Sequence, residues 1–144
     1  MKKLLFVMVC SLIFMTTHTS NSEESVQTKK PDQLSGKIEG LKIENLLAEK
    51  LEIADSIEIV VSHLVVPPNT MLPMHWHHGE EFVYVLEGSA FIIQKDKADS
   101  KIVKGDVFKI PFKQIHTAKT TDDSCTVVVF RVHEEGKPTR VLVD

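Results

Sequence analysis

The chain has 144 residues, 42% of them hydrophobic, which is enough for one packed domain and little more. Its formal charge of −3 argues against nucleic acid and anionic membranes as partners, because both call for a basic surface. Of its two cysteines, Cys10 falls in an apolar leader segment, so the folded domain keeps Cys125 alone and is held by its core without an internal disulfide.

Lys2 and Lys3 precede an apolar run from Leu4 to Met15, and small or polar residues follow as far as Ser22. That layout is a secretory signal peptide, with Ser20 and Ser22 where a signal peptidase reads small side chains. The run is too short to span a bilayer. Residues 1–22 are therefore expected to be removed on export, leaving a periplasmic or secreted protein. Loss of Lys2 and Lys3 from the 17 basic residues leaves 15 against 20 acidic ones, a net charge of −5. Residues 23–40 are polar, carry Pro31 and two glycines, and lack either periodicity, which predicts a flexible leader.

From Leu41 to Asp144, β-branched and aromatic runs are separated by turn residues and no amphipathic helix stands out, the pattern of an all-β sandwich or barrel. Strands are predicted over 57–66, 74–77, 81–87, 90–95, 107–111, 115–119 and 125–133. Pro67 and Pro68 stop the first of them, since proline cannot continue a central ladder. Gly88-Ser89 reads as a turn and Lys95 to Ser100 as a charged hairpin tip. Alternation along 81–87 sets Glu81, Val83 and Val85 on one face, with Phe82, Tyr84 and Leu86 on the other. Both faces are apolar, so the outer one needs cover, and a homodimer with this strand near its interface is predicted. Cys125 reads as a buried strand residue.

The stretch His75-Trp76-His77-His78-Gly79-Glu80-Glu81 carries the chemistry. Histidines at i and i+2 of an extended strand project to one face, roughly 6.5 Å apart along the backbone, so both imidazoles can reach one ion. Gly79 makes a reversal easy, and a turn there would return the Glu81 carboxylate to the same ion. Glu80 takes that place if the turn is one residue tighter. His116 arrives from another strand. Three neutral imidazoles and a carboxylate suit a first-row divalent metal and not calcium. Because imidazoles bind metal only when neutral, affinity is expected to fall as pH drops through about 6.5. His78 reads as a solvated turn residue, Trp76 as a packing residue, and His63 and His133 as ordinary strand histidines.

On these residues the chain resembles the cupin superfamily, in particular its small single-domain members. The first cupin motif, G-x5-H-x-H-x3-E-x6-G, is met by His75, His77, Glu81 and Gly88, with Asn69 in place of the leading glycine. The second, G-x5-P-x-G-x2-H-x3-N, is met by Gly105, Pro111 and His116, with Lys113 and Thr120 in place of its second glycine and its asparagine. The resemblance extends from about Leu41 to Pro138. It implies a small jelly-roll β-barrel, the double-stranded β-helix, over residues 41–144, and His75, His77, Glu81 and His116 as metal ligands. Asn69 tolerates a left-handed backbone, so it can keep the family's turn. Lys113 tolerates it less well, which predicts another turn type for 111–114. Thr120 lacks an amide, which predicts weaker support for the neighbouring loop.

For the metal, the resemblance implies manganese, iron or nickel, whereas the affinity order outside the cytoplasm favours copper and zinc. Manganese, iron and zinc are the leading candidates, with nickel and copper behind them. The resemblance further implies a metal-dependent enzyme acting on a small oxygen-bearing substrate, dioxygenase-like in the manner of quercetinase-type cupins. The alternative is a non-catalytic module that binds a metal or small metabolite in the cell envelope. No general base is evident in the sequence.

Overall fold

The computed structural model describes residues 37–143. The signal peptide expected over residues 1–22, and the part of the expected leader up to residue 36, lie outside the described residues. Nine strands follow in chain order: β1 Lys42–Lys50, β2 Ile57–Val66, β3 His75–Trp76, β4 Gly79–Gln94, β5 Ser100–Val103, β6 Val107–Ile110, β7 His116–Lys119, β8 Cys125–Glu134 and β9 Val141–Leu142. Among the described residues there is no helix.

The strands form one curled, hydrogen-bonded surface in the order β1-β2-β8-β4-β7-β3-β9, with β5 and β6 also pairing with β4. Its curl comes from β4, which belongs to two layers. The first half of β4 lies between β8 and β6, and the second half lies between β7 and β5. The register against β8 shifts between Val85 and Glu87, and Gly88 follows with φ of 75°. A Cβ on Gly88 would lie 1.8 Å from the Ser124 carbonyl oxygen, so only glycine lets the strand bend there against β8. The predicted stop at Gly88-Ser89 is therefore a bend: the runs 81–87 and 90–95 are one 16-residue strand.

Alternation decides what the barrel encloses. Glu81, Val83 and Val85 face inward from β4, as do Cys125, Val127, Val129, Arg131 and His133 from β8, all of them buried. Val83, Val85, Ala90, Ile92, Ile102, Ile110, Cys125, Val127 and Val129 form the main core cluster. Each large aliphatic side chain among them, withdrawn from water, contributes roughly 1.5–3 kcal/mol.

Three strands are absent from the sequence-based reading: β1, β5 and β9. β1 is a mostly exposed edge strand, KIENLLAEK, whose register shifts between Asn45 and Leu47, which breaks any period-two signal. β9 has two residues and exists only through its pairing with β3.

The three positions that depart from the cupin motifs are settled by backbone and hydrogen bonds. Asn69 takes φ of 51°, as expected. Lys113 takes φ of 57°, so the 111–114 loop keeps the left-handed residue it was expected to avoid. The Lys113 side chain lies over Phe112 and Trp76, with its Nζ 4.9 and 5.8 Å from the ring centroids, contacts that help offset the strain of that backbone. Thr120 does not weaken its loop: its buried hydroxyl donates to the Pro67 carbonyl at 2.6 Å and accepts from the Thr70 amide at 3.0 Å.

Candidate metal centre

His75 and His116 are directly opposite each other in the β3–β7 ladder, and their ring centroids are 4.4 Å apart. His77, two residues beyond His75, brings its ring to 4.8 Å from His75 and 5.2 Å from His116. All three side chains are buried, and one ligand nitrogen from each lies within 4.8 Å of the others. Trp76 and His78 alternate to the other face, where their rings approach to 4.6 Å.

Each ring is oriented by a backbone carbonyl. The Nδ1 of His75 donates to Pro73 at 2.8 Å, that of His77 to Thr139 at 2.5 Å, and that of His116 to Gln114 at 2.9 Å. A neutral imidazole with its proton on Nδ1 presents the Nε2 lone pair, and all three Nε2 atoms are thereby left as ligand atoms.

Glu81 joins them, by a route other than the one expected. Gly79 makes no reversal; it opens β4, and it is glycine because a Cβ there would lie 2.1 Å from the Val132 carbonyl oxygen of β8. The chain bends at His78 instead, as it passes from β3 to β4. Glu81 Oε2 then lies 2.9 Å from His77 Nε2, and Oε1 lies 3.8 Å from His116 Nε2. Glu80 points outward to Lys109 Nζ at 2.6 Å and plays no part in the site.

The His77–Glu81 approach tests whether these residues fit a cation. His77 Nε2 is buried without a hydrogen-bond partner, because the ring's proton is on Nδ1 toward Thr139. Two lone-pair atoms 2.9 Å apart in a dry interior repel unless a positive charge lies beside both. A divalent ion answers that need, and a set of three imidazoles and one carboxylate matches its chemistry.

Protonation follows the same geometry. Burial, and after it the neighbouring His116 and His77, lowers His75 to about 3. Burial also lowers His77, outweighing the pull of Glu81 in the opposite direction. Proton competition for these two nitrogens therefore sets in at more acidic pH than the value of about 6.5 expected of free imidazole. For Glu81, burial acts to raise the carboxyl, but Arg131, then His77 and His116, hold it well below its usual range.

Sequence reasoning overlooked Arg131 and Arg140. Arg131 is opposite Glu81 in the β8–β4 ladder, and its Nε donates to Glu81 Oε2 at 2.7 Å. Its signal was present in the sequence: Arg131 has the inward parity of Cys125, Val127 and Val129, so a guanidinium enters the barrel where an aliphatic residue would otherwise stand. Arg140 arrives on the C-terminal segment and had no such signal. His133, expected to be an ordinary strand histidine, is fully buried and donates from Nε2 to the Pro138 carbonyl at 3.1 Å, tying that segment down. His75, Glu81, His116, Arg131 and Arg140 all line one cavity of about 40 Å³, whose remaining wall is almost entirely aliphatic and includes Cys125.

The cupin family profile, described simply as Cupin, matches residues 26–142, and the chain belongs to the cupin family. The DMSP lyase DddQ from Ruegeria pomeroyi DSS-3 superposes with a TM-score of 0.60 at 20% identity, over 72% of this chain and 51% of the lyase. This chain thus spans about half the length of that lyase. A cupin-like protein from Thermotoga maritima gives 0.58 at 20% identity, covering 72% of this chain and 75% of its own. A sugar phosphate isomerase of the cupin superfamily from Silicibacter pomeroyi gives 0.55 at 22% identity, over 73% and 67%. These likenesses establish the double-stranded β-helix fold. No curated protein matches the chain.

Proposed function

We propose that this cupin is a metal-dependent enzyme acting on a small oxygen-bearing substrate, with dioxygenase-like chemistry, and that His75, His77, His116 and Glu81 hold its one divalent ion. The single observation that carries this reading is the convergence of three carbonyl-oriented imidazoles and a carboxylate on one buried point. Manganese, iron and zinc are the candidate metals, because all three accept mixed nitrogen and oxygen ligands. When bound, such an ion supplies Lewis-acid polarisation of a substrate oxygen.

The chain's own residues do the rest. Pro73, Thr139 and Gln114 hold the imidazoles in register through their carbonyls. Arg131 keeps Glu81 ionised and fixes its orientation. The aliphatic wall excludes water, which strengthens every charge interaction at the polar end. A cavity of about 40 Å³ has room for a ligand of only a few heavy atoms. That size favours short diols and hydroxy acids over a flavonol. Neighbouring structures include a lyase and an isomerase, so the fold by itself does not select the reaction.

The test is elemental analysis of protein purified from its native compartment, followed by oxygen-uptake measurements with C2 and C3 hydroxy acids and diols. One metal per chain with substrate-dependent oxygen consumption supports the reading. A bound metal with no turnover of any of them moves the protein to the non-catalytic class of metal or metabolite binders, and absence of metal overturns the site. Export to the periplasm or exterior belongs to this same proposal and rests on residues 1–22.

We also propose a homodimer. The outward row Leu47, Val61, Phe130 and Phe82 crosses four paired strands, and Tyr84 continues the apolar face to Val107, which is 69% exposed. A second copy covering this face would remove it from water.

A further inference from the structure

Residues 135–143 leave β8 through a turn, with Gly136 at φ of 73° and the Lys137 amide donating to the Glu134 carbonyl at 3.3 Å, and come back along β3. None of these residues is buried, and Leu142 is 52% exposed. The segment is therefore held by polar attachments and not by a hydrophobic seat, the mark of an element that opens locally at low cost. Its attachments end on the metal-site strand or close to it. The Pro138 carbonyl accepts from Nε2 of the fully buried His133 at 3.1 Å, and the Thr139 carbonyl accepts from His77 Nδ1 at 2.5 Å. Val141 and Leu142 of β9 pair with Trp76 and His75, and the Val143 amide donates to the Met74 carbonyl at 3.0 Å. Between these attachments Arg140 lines the same cavity as His75, Glu81 and His116.

We propose that residues 135–143 are a strap that closes over the polar end of the cavity when the metal site is filled and releases it when the site is empty, with the tautomer of His77 as the latch; the inference rests on the metal reading above and adds its gate. With the strap closed, the His77 proton is on Nδ1 and the Nε2 lone pair faces Glu81 Oε2 at 2.9 Å, an arrangement that a shared cation stabilises. With the strap released, Nδ1 loses the Thr139 carbonyl. The other tautomer then carries its proton on Nε2, where Glu81 accepts it, and the net charge of the site is unchanged. The two forms compete for one atom: Nε2 either offers its lone pair to a cation or donates to Glu81, and the Thr139 carbonyl favours the first. A cation that binds the closed form shifts the equilibrium toward it, and closing the strap tightens that binding by the same factor.

Hydrogen exchange of the full chain, metal-free and saturated with zinc, reads the strap directly. β1 is the internal reference, because it is the edge strand at the other end of the sheet and pairs with β2 alone. Zinc is expected to slow the amides of residues 141–143 about tenfold or more, the factor that a coupling of ordinary size returns, and to leave β1 unchanged. Nitrogen NMR of the imidazoles is expected to find both tautomers of His77 in the metal-free chain and the Nδ1–H form alone with zinc. His133→Leu cuts the Pro138 anchor without touching a metal ligand. It is expected to weaken zinc binding about tenfold, as losing a group that orients a ligand does, and His133→Gln, whose amide can replace Nε2–H, recovers most of that loss. Val143→Pro deletes only the amide bond to Met74 at the exposed end, and a smaller loss there carries the test if His133→Leu does not fold. Zinc binding that leaves the strap exchanging as in the metal-free chain, or undiminished zinc affinity in both His133→Leu and Val143→Pro, would overturn the strap and leave the metal reading standing. Failure of the wild type to bind zinc would overturn both.

Discussion

Arg131 and Glu81 stand directly opposite each other on β8 and β4 and share a 2.7 Å hydrogen bond, both buried, with the same Glu81 oxygen 2.9 Å from His77 Nε2. One carboxylate oxygen therefore serves a permanent cation on one side and the candidate metal site on the other. Replacing Arg131 by Met leaves Glu81 as an uncompensated buried charge, which costs about 3–5 kcal/mol. Chemical denaturation of metal-free Arg131→Met is expected to show that loss, and saturating zinc is expected to return part of it by supplying the missing positive charge. A variant as stable as the wild type would remove Arg131 from this role.

His116→Ala removes one of the three imidazoles and keeps the β7 backbone. Metal affinity is expected to fall by more than about 100-fold, since losing a ligand exceeds the roughly 10–100-fold effect of losing a group that only orients one. Plasma mass spectrometry after dialysis against buffered metal reads this as a stoichiometry dropping from one per chain toward zero. Glu80→Gln, in which only the outward contact with Lys109 changes, should keep the wild-type stoichiometry.

The metal-free protein should lose stability in acid over a window defined by its histidines. His75 titrates at about 3 in the folded chain, compared with about 6.5 when unfolded. Between those values the unfolded chain binds the extra proton, so stability falls as pH drops from about 6.5 toward about 3. For this one residue the upper bound is on the order of 5 kcal/mol. His77, also lowered, acts in the same sense. Glu81, held below its usual range, adds stability that is present above its unfolded value and is lost as pH falls toward its folded one. Thermal melts from pH 7 to 4 should show a steady decline, and a melting temperature constant over that range would contradict the burial of neutral imidazoles.

Thr120→Val is isosteric and deletes a hydroxyl that bonds to Pro67 and Thr70. Leaving a partly buried amide and carbonyl without those partners costs up to about 1–3 kcal/mol. Urea denaturation should report that loss without a change in metal stoichiometry, because Thr120 supports the loop and not the ligands.

Tyr84→Glu places a charge in the exposed apolar face of β4, beside Val107 and Val128. Light scattering after size exclusion is expected to find a dimer for the wild type at micromolar concentration and a monomer for the variant. A monomeric wild type would leave that face without a second copy to cover it.

The sequence by itself determined the local matters. Period-two alternation put Glu81, Val83 and Val85 on one face, His75 and His77 at i and i+2 pointed the same way, and the motif spacing singled out His116. The first two follow from backbone geometry over a few residues, which is why they are legible in a linear string; His116 was found through the resemblance to the cupin motif. Tertiary structure decided what depends on neighbours distant in sequence. Gly88 bends β4 instead of ending it, because β8 presses against it at Ser124. Arg131 acts on Glu81 because the register pairs two residues fifty positions apart. Arg140 reaches the cavity because His133 and His77 hold the C-terminal segment through its carbonyls. A carbonyl has no side-chain identity, so nothing in the sequence of that segment announces what it will accept, and only the folded chain reveals the role.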